Sequence, residues 1–254
     1  VSAILFNIFE DSRFNTLANN ELLIDMKSIR EQHFDQYYSF HGYPELRYEM
    51  AWDVHQFFEL QSAKSESVTD FASRTALVIP PAEHRKLFRL VRAFLPIYEE
   101  LVWAPNRIKL EKYKEKLRAT ALKANMSKLF GQAIQFYSGS WPDDIPLIVF
   151  LHPIPSKKAT TSATMVADSA LVEALLDEKD FAMRFGVVFH EICHGIFETQ
   201  SLEFQKKMDS WFRNSTELSF SIYTYKLINE ALATAIGNGL AYKLSTGRDD
   251  ESSW

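Results

Sequence analysis

Cysteine is nearly missing from this chain. Cys193 is the only one in 254 residues, so no intrachain disulfide can form and the small stapled scaffolds are excluded. Compartment does not follow from that, because a chain of this length can bury a core without disulfides. Long apolar runs are missing too: none approaches the roughly 20 residues of a membrane-spanning helix. Val1 to Phe9 is apolar but short and has no basic flank, so it does not read as an intact signal peptide. The chain starts at Val1 rather than Met and stops at Ser252-Ser253-Trp254, which fits a trimmed or mature form whose native chain runs further. Secretion or a periplasmic location is compatible with such processing, and localisation stays open. A strong charge of one sign is also lacking: the net charge is −5 and the 28 basic residues are scattered, which gives nucleic-acid binding little electrostatic support. No internal repeat or low-complexity tract is visible.

What is present is a chain 46% hydrophobic and 14% aromatic, enough for one domain or two closely packed subdomains. The pattern predicts an α+β fold that is predominantly helical. Ser2–Phe9 reads as a strand, and Leu22–His41 and Glu45–Ala63 as helices. Thr69–Ile79 is ambiguous between helix and strand. A helix is expected from Ala82 to Trp103 with a kink at Pro96, then a break at Ala104-Pro105-Asn106. A long lysine-rich helix follows, Arg107 to Phe136, whose charged side is read as a solvated face. The loop Ser138–Asp144 is the best boundary between a helical N-terminal half, 1–138, acting as lid or support, and a second half, 139–254.

In the second half Ile145–Leu151 is the clearest strand, Thr160–Asp168 a candidate edge strand, and Ser169–Leu176 helix or strand. Helices are expected over Phe181–Thr199, Leu202–Trp211 and Glu217–Leu244.

The most informative stretch is Val187-Val188-Phe189-His190-Glu191-Ile192-Cys193-His194-Gly195-Ile196-Phe197. On a helix His190 and His194 lie one turn apart, so both imidazoles leave the same face about 6 Å from each other. Two nitrogens so placed can bind one metal ion at about 2.0–2.1 Å each. Glu191 lies about 100° round the helix, near enough to reach a water held by that metal without being a ligand. Two histidines on a helix face can be ordinary side chains, but polar groups clustered on so apolar a helix need partners, and a metal supplies them. His33, His41, His55 and His84 have no such spacing and read as surface or core histidines. Cys193 reads as a small inward-packing residue.

A catalytic zinc usually takes three protein ligands. The acids offered are Glu198, Glu203, Asp209, Glu217 and Glu230. Glu198 is two turns beyond His190, about 12 Å along the axis, and is too far to share the ion. Glu230 stands among Ala231, Ala233, Ala235 and Gly237, small residues that let its helix approach the motif helix closely.

His190-Glu191-Ile192-Cys193-His194 with the downstream Asn229-Glu230-Ala231-Leu232-Ala233 resembles the gluzincin group of zinc metallopeptidases, over residues 145–244. Thr234 stands where thermolysin-like members have an aspartate, and position 200 is Gln, so the extended three-histidine pattern is absent. The resemblance implies a zincin-like catalytic half with a small sheet packed on the motif helix. It implies one Zn2+ per chain held by His190, His194 and Glu230, and peptide-bond hydrolysis with Glu191 activating a zinc-bound water. An oxyanion donor is expected from Tyr223, Tyr225, Tyr242 or His152, with Tyr223 favoured by lying two turns before Glu230. An extended peptide or protein substrate is expected along the edge strand at Thr164, Met165 and Val166. The competing readings are a zinc hydrolase for a non-peptide amide or ester, and a non-catalytic metal-containing scaffold. Oligomeric state stays open.

Overall fold

The computed structural model describes residues 28–29, 32, 37–40, 50–154, 161–215 and 227–251. The chain divides into two compact units. One comprises Val1–Glu111, Phe150–Ser162 and Leu171–Asp177; the other Lys112–Val149, Ala163–Ala170 and Glu178–Trp254. Ser138 and Gly139, where the sequence places a boundary, lie inside the second unit. The described residues are predominantly helical with small sheets, an α+β class.

In the first unit β1 (Tyr37–Phe40) and β2 (Met50–Asp53) pair antiparallel, Tyr37 opposite Asp53 and Phe40 opposite Met50. Tyr37–Phe40 and Met50–Asp53 correct those parts of the helices expected over Leu22–His41 and Glu45–Ala63, because cross-strand pairing overrides a weak helical period, while Val54–Ala63 is helical as expected. The expected strand Ser2–Phe9 lies outside the described residues. Helix α1 (Val54–Lys64) follows β2 directly. The ambiguous stretch after it resolves as α2 (Val68–Arg74), started by Ser67, whose hydroxyl accepts from the Asp70 main chain at 3.1 Å. Helix α3 (Pro81–Tyr98) opens with Pro81, where a missing N–H costs nothing.

Pro96 lies inside α3, and the helix passes into a π-helical stretch, Glu99–Trp103. The break expected at Ala104-Pro105-Asn106 does not occur: α4 (Ala104–Lys123) starts there. Pro105 occupies its first turn, and the Asn106 side chain donates to the Val102 carbonyl at 2.8 Å. The core of this unit includes an edge-to-face series, Phe58–Phe71 at 5.9 Å and Phe71–Phe88 at 4.9 Å between ring centres.

The long helix expected over Arg107–Phe136 is two helices. Asn125 adopts a left-handed conformation, φ 52°, and its side chain caps α5 (Met126–Tyr137). Asparagine is among the few residues that enter this region at low cost. Strands β3 (Ile148–Pro153), β4 (Ala163–Val166) and β5 (Ser169–Ala174) form a sheet of order β3–β5–β4. The bonds Ile148 N–H to Asp168 O, 2.9 Å, and Ile154 N–H to Ala174 O, 3.3 Å, run in step and make β3 and β5 parallel. Only Ala167 and Asp168 join β4 to β5, so that pair is antiparallel. β4 ends the strand order, as expected of an edge.

Helix α6 (Phe181–Glu198) carries the His-Glu-x-x-His motif and is started by Asp180, which accepts from the main chains of Ala182 and Met183 at 3.1 and 2.9 Å. Phe185, Val188, Phe189, Ile192, Cys193 and Ile196 are all buried on it. Helix α7 is Leu202–Ser215. Of the last helix expected, Glu217–Leu244, residues 216–226 lie outside the described part. Residues 227–233 form α8, Thr234–Ala241 a π-helical segment, and Tyr242–Thr246 α9, closed by Gly247 at φ 82°. Among the described residues no helix is long and apolar enough to cross a membrane.

Candidate metal centre

The second unit contains every described residue of the site. Helix α6 is fixed at both ends: by the Asp180 cap, and at the far end by Gln200, whose side chain donates to the Tyr137 carbonyl at 2.6 Å. Thr199 Oγ1 accepts from Ser140 N–H at 3.0 Å. Position 200 therefore anchors the helix to the end of α5. On its sides α6 packs against β4, α5, α9 and the π-helical segment.

Two close approaches make this possible. A Cβ added at Gly195 would lie 2.7 Å from Met165 Cγ, so Met165 of β4 rests on the motif helix just past His194. A Cβ at Gly237 would fall on the His190 main chain, 2.7 Å from His190 Cβ, so the π-helical segment meets α6 backbone to backbone at the first histidine.

That approach brings in Glu230. Its two carboxylate oxygens lie 3.2 Å from His190 Nε2 and 3.3 Å from His194 Nε2, and the two Nε2 atoms are 2.9 Å apart. Ligands at about 2.0–2.1 Å from a tetrahedral ion stand about 3.3 Å from one another. The two histidine–glutamate separations match that edge, and the histidine pair is slightly tighter. Glu191 joins the same group: one ligand atom each of His190, Glu191 and His194 lie within 4.8 Å of one another. Two imidazole nitrogens, a bridging carboxylate and a second carboxylate alongside could hold a metal ion.

Electrostatics favour the forms such a centre uses. Burial, then the neighbouring His194, hold His190 below the ordinary imidazole range, with Glu230 pulling the other way. A neutral ring is the one with a lone pair to offer. Burial, then the negative charge of Glu230, push Glu191 up to about 7, against a hydrogen bond from the Met165 main chain. His190 Nδ1, on the far side of the ring, is buried without a hydrogen-bond partner among the described residues.

The other candidates separate clearly. Glu198 is exposed at the end of α6, Glu203 is exposed on α7, and Asp209 pairs with Arg213 at 2.7 Å. Glu217, Tyr223 and Tyr225, with His33 and His41, lie outside the described residues. Tyr242 opens α9, while His152 belongs to the first unit, 3.8 Å from Glu173. His84 faces Thr75 Oγ1 at 3.1 Å and His55 faces Glu59 at 3.8 Å, so neither is grouped with the site. Thr164, Met165 and Val166 all lie on β4, beside Glu191 and Gly195. Cys193 is fully buried and its thiol is pushed up to about 12 by burial, so it packs as an apolar residue.

In the sequence Gly237 is visible only as one of the small neighbours of Glu230, and nothing there singles out Asn238 except the Gly237-Asn238-Gly239 run inside an otherwise helical stretch. Compared with known proteins, the chain matches no family model, no curated protein and no solved structure.

Proposed function

We propose that the protein is a zinc-dependent peptidase of gluzincin type. The observation that carries this is the convergence of Glu230, from a separate helix, on the paired Nε2 atoms of His190 and His194 at tetrahedral spacing. Those three residues would hold the ion, and Glu191 would remain free beside it. When bound, zinc supplies Lewis acidity, polarising a carbonyl and lowering the pKa of water towards about 7.

Glu191 accepts a proton from the attacking water as the water oxygen adds to the peptide carbonyl carbon. The C–N bond then breaks, and Glu191 delivers that proton to the leaving nitrogen. A carboxylate whose affinity for protons is raised to about 7 is well matched to both transfers near neutrality. β4 ends the strand order among the described residues, so an extended peptide would run beside Thr164, Met165 and Val166, with little regard to its sequence. Tyr223 is assigned the second oxyanion contact on its spacing from Glu230.

The test is zinc-dependent cleavage of unfolded casein or a peptide library. Wild type should cut, chelation should stop it, and Glu191→Gln should keep one equivalent of zinc while losing activity. Wild type that holds zinc yet cuts no peptide moves the assignment to a non-peptide amide or ester, or to a structural metal site.

A further inference from the structure

The crossing of α6 and the π-helical segment leaves two polar atoms enclosed. Gly237 faces the His190 main chain. One turn earlier on α6, a Cβ at Gly186 would lie 3.2 Å from Asn238 Cα. Backbones this close leave no room for water between them. His190 is 9% exposed and Asn238 5%, and among the described residues both His190 Nδ1 and Asn238 Oδ1 are buried without a hydrogen-bond partner, each other included. Their chemistry is complementary. A histidine that offers the Nε2 lone pair carries its proton on Nδ1 and must donate from there, whereas an amide oxygen can only accept.

Direction also agrees. Side chains on a helix lean towards its N-terminus, so the His190 ring leans back over the turn containing Gly186, where Asn238 sits. Asn229 Oδ1 is also buried without a partner among the described residues, but it is Asn238, not Asn229, that the close approach at Gly186 places beside α6.

We propose that Asn238 is a positioning residue: with the metal bound, a turn of its side chain lets its oxygen accept the Nδ1–H of His190, a bond not formed in this structure, and so fixes the tautomer and ring orientation that aim Nε2 at the space shared with His194 and Glu230. Gly237 is what admits Asn238 to that place. The inference rests on reading the cluster as a zinc centre, but not on what the centre cleaves. Outer partners of this kind typically change metal affinity by about 10–100-fold.

The experiment measures zinc affinity of the full chain by competition with a chromophoric chelator, with thermal unfolding of each metal-free variant as a folding control. Asn238→Ala should weaken zinc binding at least tenfold. Asn238→Asp, which keeps an acceptor oxygen, should stay within about threefold of wild type. Imidazole 1H–15N spectra of zinc-loaded wild type should show His190 with a slowly exchanging Nδ1 proton. That readout decides the matter even if Asn238→Ala does not fold. Near-wild-type affinity in Asn238→Ala, equal losses in the Ala and Asp variants, a freely exchanging Nδ1 proton, or a loss confined to Asn229→Ala each overturns the proposal. Wild type that takes up no zinc overturns the metal centre itself, and this inference with it.

Discussion

Helix α6 and the segment from residue 227 to 241 contribute to one site by different physics. In α6 the chemistry is local. His190 and His194 share a face because a helix repeats every 3.6 residues, and the apolar flanks that bury the helix also withdraw both rings from water. The 227–241 segment has no such internal logic. Glu230 is 62% exposed in its side chain and is held near the histidines only by what happens two turns later, where Gly237 meets His190. One region creates donor atoms; the other creates a distance. The π-helical turns at Thr234–Ala241 belong to the second task, since a widened turn re-aims a helix without ending it.

The largest expected effect separates chemistry from assembly. Glu191→Gln should lower kcat by about 10²–10⁴ while zinc content stays at one equivalent, measured by metal analysis beside peptide cleavage. Glu230→Ala attacks the second region instead. Its zinc affinity should fall by more than the roughly 100-fold that loss of an outer partner causes, with the fold retained by circular dichroism. Retention of tight zinc binding in that variant would show that the distance set by the 227–241 segment does not matter.

Gly237 and Gly195 sharpen the contrast. Gly237→Ala drives a methyl into main-chain atoms of His190, which cannot move aside, and should cost about 2 kcal/mol or more in denaturant unfolding. Gly195→Ala meets the Met165 side chain, Cγ at 2.7 Å, which can turn aside as main chain cannot, and alanine is the better helix former by about 1 kcal/mol, so its net cost should be smaller than that of Gly237→Ala. Equal effects at the two glycines would mean the crossing is not the rigid element.

A pH effect belongs to α6 and the metal-free chain. Glu191 is raised from its ordinary 4.5 to about 7 in the folded state, chiefly by burial, so between those values the folded chain binds the proton that the unfolded chain has released. Stability conferred on the protonated form is present below about 4.5 and is lost as pH rises towards about 7, by at most about 3 kcal/mol. Urea unfolding of apoprotein across that range should show the decline, and Glu191→Gln should make it shallower without abolishing it, because desolvation also raises Glu198 to about 7.

Legibility in the sequence followed the range of the interactions. The motif helix, its start at Phe181 and the edge character of β4 were readable because caps, periods and turns act over a few residues. The strands Tyr37–Phe40 and Met50–Asp53 were not, because each is defined by its pairing with the other. The division of the lysine-rich helix at Asn125 turned on one left-handed residue with no glycine or proline to announce it. Glu230 was readable as a candidate from its small neighbours; Asn238 was not, because an amide in a helical run becomes informative only once the atom facing it is known.

The sequence by itself determined the pair of imidazoles and the acid between them, since helical repeat and apolar flanks are properties of consecutive residues. Only the tertiary structure decided that Glu230 lies 3.2 and 3.3 Å from those imidazoles, that Met165 covers Gly195, and that Asn238 shares a buried crossing with His190. Such facts depend on how closely two backbones pack, and that distance is set by the absence of a single side chain at residue 237.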